Sequence, residues 1–166
     1  MREAQGKCLT VARFASNVAA SGFSHPVSAD PARTPEGAST AGAGNLSPDA
    51  LALRLIATTD LHASLLPYDY HANRPVAGRS LCNISRQIAD ARSEIPNSLL
   101  FDNGDFLQGN PLAEYIASAP RRRRTHPVIA AFNSLGYDAA TLGNHEFNYG
   151  VGFLSTALSR AQFPVV

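Results

Sequence analysis

The feature that most constrains this chain is one arrangement that comes three times. An apolar run that reads as a buried strand gives way at once to a polar cluster, and a helical stretch follows. "LALRLIATT", Leu51 to Thr59, alternates and then runs apolar with β-branched residues at its end, and "DLH" comes next. "NSLLFDNGD", Asn97 to Asp105, goes from a short apolar strand, Ser98 to Phe101, straight into acids and a glycine. "YDAATLGNHE" ends a third strand in an amide, an imidazole and a carboxylate.

The intervening stretches carry helix signals. In "SLCNISRQIADARSEI", Leu81, Ile84, Ile88 and Ala91 share one helical face, and Pro96 ends the helix. "NPLAEYIASA" reads as a short helix with Pro111 in its first turn, "HPVIAAFNSLG" as another that stops at Gly136, and "VGFLSTALSRAQ" as an amphipathic helix. Strands alternating with helices predict an α/β fold built on a largely parallel sheet. Right-handed crossovers return every parallel strand in the same direction, so "DLH", "DNGD" and "GNHE" fall on one sheet edge, where open α/β sheets bind their ligands.

The rest of the chain narrows the classes. Residues 1–50 form a disordered or linker-like arm by composition, since Ala15 to Asp49 is dominated by Ala, Ser, Gly and Pro. Residues 51–166 form the foldable part, which ends in an apolar "FPVV" with no turn or polar tail and so reads as cut mid-strand. Arg2, Lys7, the apolar stretch from Cys8 and "VSA" before Asp30 loosely match a secretory signal, although Arg13 and Asn17 interrupt it. Formal net charge is +1 and no stretch is apolar enough to span a membrane, so neither nucleic-acid polymer nor membrane is an expected partner. The run Arg121 to Arg124 reads as a solvated loop because no aromatic residues interleave it. Cys8 and Cys82 lie too far apart in sequence to define a disulfide framework or a metal-ligand spacing.

The polar clusters carry metal chemistry. Asp60 and His62, two apart on an extended segment, can turn toward one ion where the strand end bends. Asp105 adds an oxygen able to bridge two cations, and Gly104 before it lets the backbone come close. Asn144 offers a neutral amide oxygen, although Gly-Asn taken alone is equally a turn dipeptide. A mixed oxygen and nitrogen set without thiolate suits Mn, Zn, Fe, Co or a related divalent ion.

"TTDLH", "DNGDFLQGNPL" and "LGNHEFNYG" resemble the first three signature blocks of the calcineurin-like metallophosphoesterases, in the 5′-nucleotidase branch. The likeness extends over Leu53 to Val166 and is greatest to the bacterial 2′,3′-cyclic-nucleotide 2′-phosphodiesterase/3′-nucleotidase group. It implies the N-terminal portion of a metallophosphoesterase α/β sandwich, two divalent metal ions, a nucleotide or cyclic-nucleotide substrate and a periplasmic location. It also implies that Asp60 and His62 hold the first metal, Asp105 bridges both and Asn144 holds the second. His145 then acts as the catalytic residue on the phosphoryl group, and Glu146 remains a local hydrogen-bonding residue.

The resemblance also marks departures. Many nucleotidases of the branch have an acid at the place of Asn148, which leaves the orienter of His145 open. The histidines that complete both metals come from later motifs, including Gly-His-x-His, and His25, His71 and His126 match none of them. The C-terminal domain that stacks the base is expected to be missing as well. Metal-dependent hydrolysis of nucleotide phosphoesters is therefore expected of the complete protein, and this chain alone is expected to be inactive. Two rival readings remain: a 5′-nucleotidase or less specific phosphoesterase, and a truncated chain that is catalytically incompetent.

Overall fold

The computed structural model describes residues 9–16, 51–76, 80–118 and 124–166. Most of the N-terminal arm, with its signal-like stretch, Cys8 and His25, lies outside the described residues, as do Arg121 to Arg123. A four-stranded sheet runs in the order β1 (Leu9–Ser16), β2 (Leu51–Thr58), β5 (Ser98–Asp102), β6 (Ala139–Ala140). β2 and β5 are parallel with Arg54 opposite Ser98 and Thr58 opposite Asp102, and β6 continues the parallel set with Asp102 opposite Ala140. Val165 makes a further parallel bridge to Ala140.

β1 departs from the sequence expectation. Leu9–Ser16 falls in the stretch assigned to an arm, yet its backbone pairs antiparallel with all of β2, from Leu9 opposite Thr58 to Ser16 opposite Leu51. The central strand β2 is thereby hydrogen-bonded on both edges, by β1 and by β5. A second difference lies in the loop after Leu66. It contains a small hairpin of β3 (Tyr68–Asp69) and β4 (Arg74–Pro75), turned by the Asp69 carboxylate, which accepts from the His71 and Ala72 N–H groups at 2.9 Å each. The third expected strand is shorter than its sequence suggests: Asp138 donates its backbone N–H to Leu100 O at 2.8 Å but takes the Leu100 N–H on its side chain, at 2.7 Å, instead of through a strand carbonyl.

The helices form where their caps predict. Ser80 Oγ accepts the Asn83 N–H at the start of α1 (Leu81–Glu94), Asn110 Oδ1 accepts the Ala113 N–H at the start of α2 (Pro111–Ser118), and His126 Nδ1 accepts the Val128 N–H at the start of α3 (Pro127–Leu135). Gly136 ends α3 in the left-handed conformation at φ 65°, where a side chain is strained. α4 (Val151–Leu158) follows the third polar cluster. No helix among the described residues is long and apolar enough to cross a membrane.

The even-numbered residues of the strands, Ile56, Thr58, Leu100 and Asp102, are buried, while Leu99 on the other face is exposed. The core against that buried face takes Leu81, Ile88 and Ala91 from α1, Val128, Ile129 and Phe132 from α3, and Leu154 and Ala157 from α4. Phe132 stands at its centre. It stacks on Tyr137 with ring centroids 3.9 Å apart and meets Phe106 at 5.2 Å and Phe163 at 5.8 Å. Phe106 belongs to the loop of the second polar cluster, so the ring cluster ties that loop to the core. Phe132→Ala is therefore expected to cost about 3–5 kcal/mol in urea unfolding and to loosen the Asp105 loop as well.

Candidate metal centre

The polar clusters after β2, β5 and β6 meet at the C-terminal edge of the parallel strands, as the alternation of strands and helices predicts. Backbone pairing continues past the strand ends. Asp60 N–H donates to Gly104 O at 3.1 Å, His62 N–H to Asp105 O at 2.8 Å, and Ala63 N–H to Phe106 O at 2.9 Å. To make these turns the chain places four side-chain-bearing residues in the left-handed region: Asp60 (φ 55°), His62 (46°), Ala63 (54°) and Asp105 (61°). Each such residue costs on the order of 1–3 kcal/mol and persists only where its surroundings hold it, which is characteristic of functional sites.

The turns bring Asp60, His62 and Asp105 together, with one ligand atom from each lying within 4.8 Å of the others. His62 is buried, and its Nδ1 sits 2.7 Å from Gln108 O. A carbonyl can only accept, so Nδ1 carries the hydrogen and Nε2 of the neutral ring presents its lone pair. That Nε2 is buried without a hydrogen-bond partner, and Asp60 Oδ1 lies 3.7 Å away, beyond hydrogen-bond range. A buried, unpartnered nitrogen between two carboxylates fits a divalent cation, and the carbonyl behind the ring is the usual outer support of a metal-bound histidine. Asn110 adds to this grip by donating from Nδ2 to His62 O at 2.8 Å while it caps α2.

Glycines make the close approach possible. Gly109 has φ 140°, and a Cβ there would fall 2.6 Å from His62 Nδ1. Gly104 and Gly143 face one another across the two loops: a Cβ on Gly104 would run into Gly143 N, and one on Gly143 would run into Asp105 Oδ1. Asp105 Oδ1 accepts the His145 N–H at 2.9 Å.

Asn144 and His145 stand on the loop that closes over Asp105. Asn144 is exposed, begins the short 3₁₀ turn His145–Phe147 and makes no capping hydrogen bond with its side chain. The His145 ring meets the His62 ring edge to face at 5.2 Å. Asn148 Nδ2 donates to His145 Nδ1 at 2.9 Å and to Gln108 Oε1 at 3.2 Å, which makes the amide the orienter of this ring. Glu146, expected to be a local hydrogen-bonding residue, reaches further than its neighbours. It is fully buried and accepts four backbone N–H groups, from Asp105, Phe106 and Leu107 as well as from nearby Gly143.

Comparison with known proteins gives the fold a family. The chain is 45% identical over 119 residues to the trifunctional nucleotide phosphoesterase protein YfkN of Bacillus subtilis, an alignment covering 69% of this chain and 8% of that protein. It is 43% identical over 115 residues to the 2′,3′-cyclic-nucleotide 2′-phosphodiesterase/3′-nucleotidase of Haemophilus influenzae, covering 69% of this chain and 18% of that one. The crystal structure of the calcineurin-like phosphoesterase YfkN superposes with a TM-score of 0.65 over 68% of this chain and 35% of that chain. The chain belongs to the calcineurin-like phosphoesterases. No family model matches this phosphoesterase chain, and it spans less than a fifth of the length of either relative.

Several residues around this cluster have weak signals or none in the sequence. Asp102 is buried, accepts the Gly104 N–H at 2.9 Å and lies 2.5 Å from Thr58 Oγ, which in turn meets the Tyr137 hydroxyl at 2.8 Å. Its position as the first acid of "DNGD" could have marked it. Asn110 before Pro111 is a readable helix cap, whereas nothing in the sequence distinguishes Gln108. His71 and His126 stay outside the cluster, one in the hairpin turn and the other capping α3.

Burial sets two opposing titrations. It pushes the Asp102 carboxyl up from 3.8 to about 7, helped by the nearby Glu146 and Asp60 charges, and it pushes His126 down from 6.5 to about 4. Between those values the folded chain keeps a proton on Asp102 that the unfolded chain releases, so this group makes stability fall as pH rises from about 4 to about 7. His126 stays neutral in the folded chain while the unfolded imidazole takes a proton below 6.5, so this group makes stability fall as pH drops. The two oppose each other. Asp102→Asn, which copies the protonated acid, is expected to expose the histidine slope. In chelator, the variant's unfolding free energy should rise by up to about 1.4 kcal/mol per unit between about pH 4.5 and 6.5, more steeply than that of the wild type in the same denaturant series.

Proposed function

We propose that this protein hydrolyses nucleotide phosphoesters with two divalent cations, opening 2′,3′-cyclic nucleotides and then removing the 3′-phosphate. The observation that carries the reading is the buried, unpartnered His62 Nε2 aimed between Asp60 and Asp105 at the sheet edge. The relatives, a nucleotide phosphoesterase and a 2′,3′-cyclic-nucleotide 2′-phosphodiesterase/3′-nucleotidase, support the substrate class.

Asp60 and His62 would hold the first cation, Asp105 both, and Asn144 the second. Cations bound there supply positive charge that lowers the pKa of a water and neutralises charge on the phosphoryl oxygens. The chain's own part is orientation. The Asn148 amide donates to Nδ1 of His145, so Nε2 of the neutral ring bears the hydrogen and can donate to a phosphoryl or departing oxygen. In the first step water oxygen joins phosphorus as the bond to O2′ breaks, leaving a 3′-phosphomonoester with a free 2′-hydroxyl. The second step replaces the remaining ribose oxygen in the same way.

A 5′-nucleotidase reading differs only in which ester is placed at the cations. Initial rates with 2′,3′-cyclic AMP, 3′-AMP and 5′-AMP in Mn²⁺, and their loss in chelator, separate the readings. Hydrolysis of 5′-AMP alone would overturn the one preferred here. Periplasmic export is proposed on Arg2, Lys7 and the apolar stretch after them. Cleavage after Ala29 would remove β1, so N-terminal sequencing of the exported protein tests both points at once.

The two central residues are expected to fail differently. Asp105→Asn should lose both ions as well as rate, because one carboxylate serves two positions. His145→Asn should keep its metal content while kcat falls roughly 10²- to 10⁴-fold, the range for a positioned acid or electrostatic donor. Metal counts by plasma mass spectrometry beside initial rates make the comparison. Loss of metal from His145→Asn, with two ions kept by Asp105→Asn, would reverse the assigned roles.

A further inference from the structure

We infer that Glu146 is the positioning residue of the metal centre, a buried clasp that aims the Asp105 carboxylate before any cation arrives. The inference rests on the two-cation reading of the site and goes beyond it by giving a role to a residue that touches neither substrate nor metal.

The geometry is a reciprocal lock between two loops. Glu146 Oε2 accepts the Asp105 N–H at 2.7 Å and the Gly143 N–H at 2.8 Å, and Oε1 accepts the Phe106 N–H at 2.7 Å and the Leu107 N–H at 3.0 Å. In the other direction the His145 N–H donates to Asp105 Oδ1. Residue 146 therefore holds the backbone of residue 105, and the side chain of residue 105 holds the backbone of residue 145. Asp105 sits at φ 61°, a conformation that a non-glycine residue leaves unless it is held, and three of the four Glu146 bonds grip it and the two residues after it. The Gly104 to Gly143 contact removes the space into which either loop could relax.

This arrangement separates a carboxylate from its nearest substitute. Glu146→Gln would keep the length of the side chain but turn one oxygen into an NH₂ group facing N–H donors, losing up to two bonds and opposing like partners. Only the orientation of Asp105 and of the loop bearing Asn144 would suffer, since the side chain lies off the metal cluster itself. Loss of an outer support of this kind lowers metal affinity about 10- to 100-fold.

The test compares Glu146→Gln with Asp138→Asn in the purified protein. Asp138 binds the Leu100 N–H and Arg92 and touches none of the metal-cluster residues, so it reports a purely structural loss. Calorimetric titration with Mn²⁺ alone and thermal melting in chelator are measured on both. Glu146→Gln is expected to melt cooperatively and bind Mn²⁺ at least about tenfold more weakly, whereas Asp138→Asn melts earlier with its Mn²⁺ affinity unchanged. A Glu146→Gln protein of lowered melting temperature and wild-type Mn²⁺ affinity overturns the inference. Should that variant not fold, hydrogen exchange on the wild type in chelator decides. The amides of Asp105, Phe106, Leu107 and Gly143 are expected to be protected without metal, and exchange that slows only when Mn²⁺ is added overturns a clasp formed beforehand. Wild-type protein that binds no Mn²⁺ removes the two-cation reading, and this inference with it. Wild-type binding with an unaffected Glu146→Gln removes this inference alone.

Discussion

One buried carboxylate satisfying four backbone N–H groups is the interaction on which the rest of the site depends. Loops after β5 and β6 carry acids, amides and an imidazole, and polar backbone brought together out of water is costly unless it is paired. Glu146 supplies the pairing from inside. With the amides of residues 105 to 107 and 143 engaged, the two glycines can touch, and the residues held at positive φ cannot fall back to ordinary conformations.

Below that clasp lies a second layer in which packing and polarity are continuous. Phe106 leaves the loop to join the ring cluster around Phe132, and Tyr137 in the same cluster turns its hydroxyl to Thr58, which meets Asp102. Apolar core and polar support are thus joined through single side chains. Burial shifts Asp102 upward and His126 downward, and the two contributions have opposite signs over the mildly acidic range.

Much of this was legible in the sequence, and the reasons are physical. The parallel sheet follows from strand and helix periods, and the convergence of Asp60, His62 and Asp105 follows from the topology alone, because parallel strands must end on one edge. Helix limits at Ser80, Pro111 and Gly136 are local chemistry and could be read directly. What could not be read depends on partners distant in sequence. β1 draws its pairing from the free edge of β2, which no local period encodes, and the little hairpin at Tyr68–Asp69 rests on an aspartate turn inside a loop rich in turn formers. The reach of Glu146 was hidden for the same reason: three of its four donors lie about forty positions earlier in the chain. The likeness of "DNGD" and "GNHE" to known motifs named residues for these places but not the bonds that hold them.

Gln108 serves two imidazoles by different means. Its main-chain carbonyl fixes the ring of His62, and its side-chain amide meets Asn148, which fixes the ring of His145. Any amino acid at position 108 keeps the carbonyl, so mutation there leaves the first ring wired as it is. The second ring depends on two replaceable side chains. A substitution at position 108 or 148 therefore changes the hydrogen inventory of one imidazole and leaves the other as it is. The half of the site proposed to hold a cation is thus insulated from side-chain change at position 108, and the half proposed to face the ester is not.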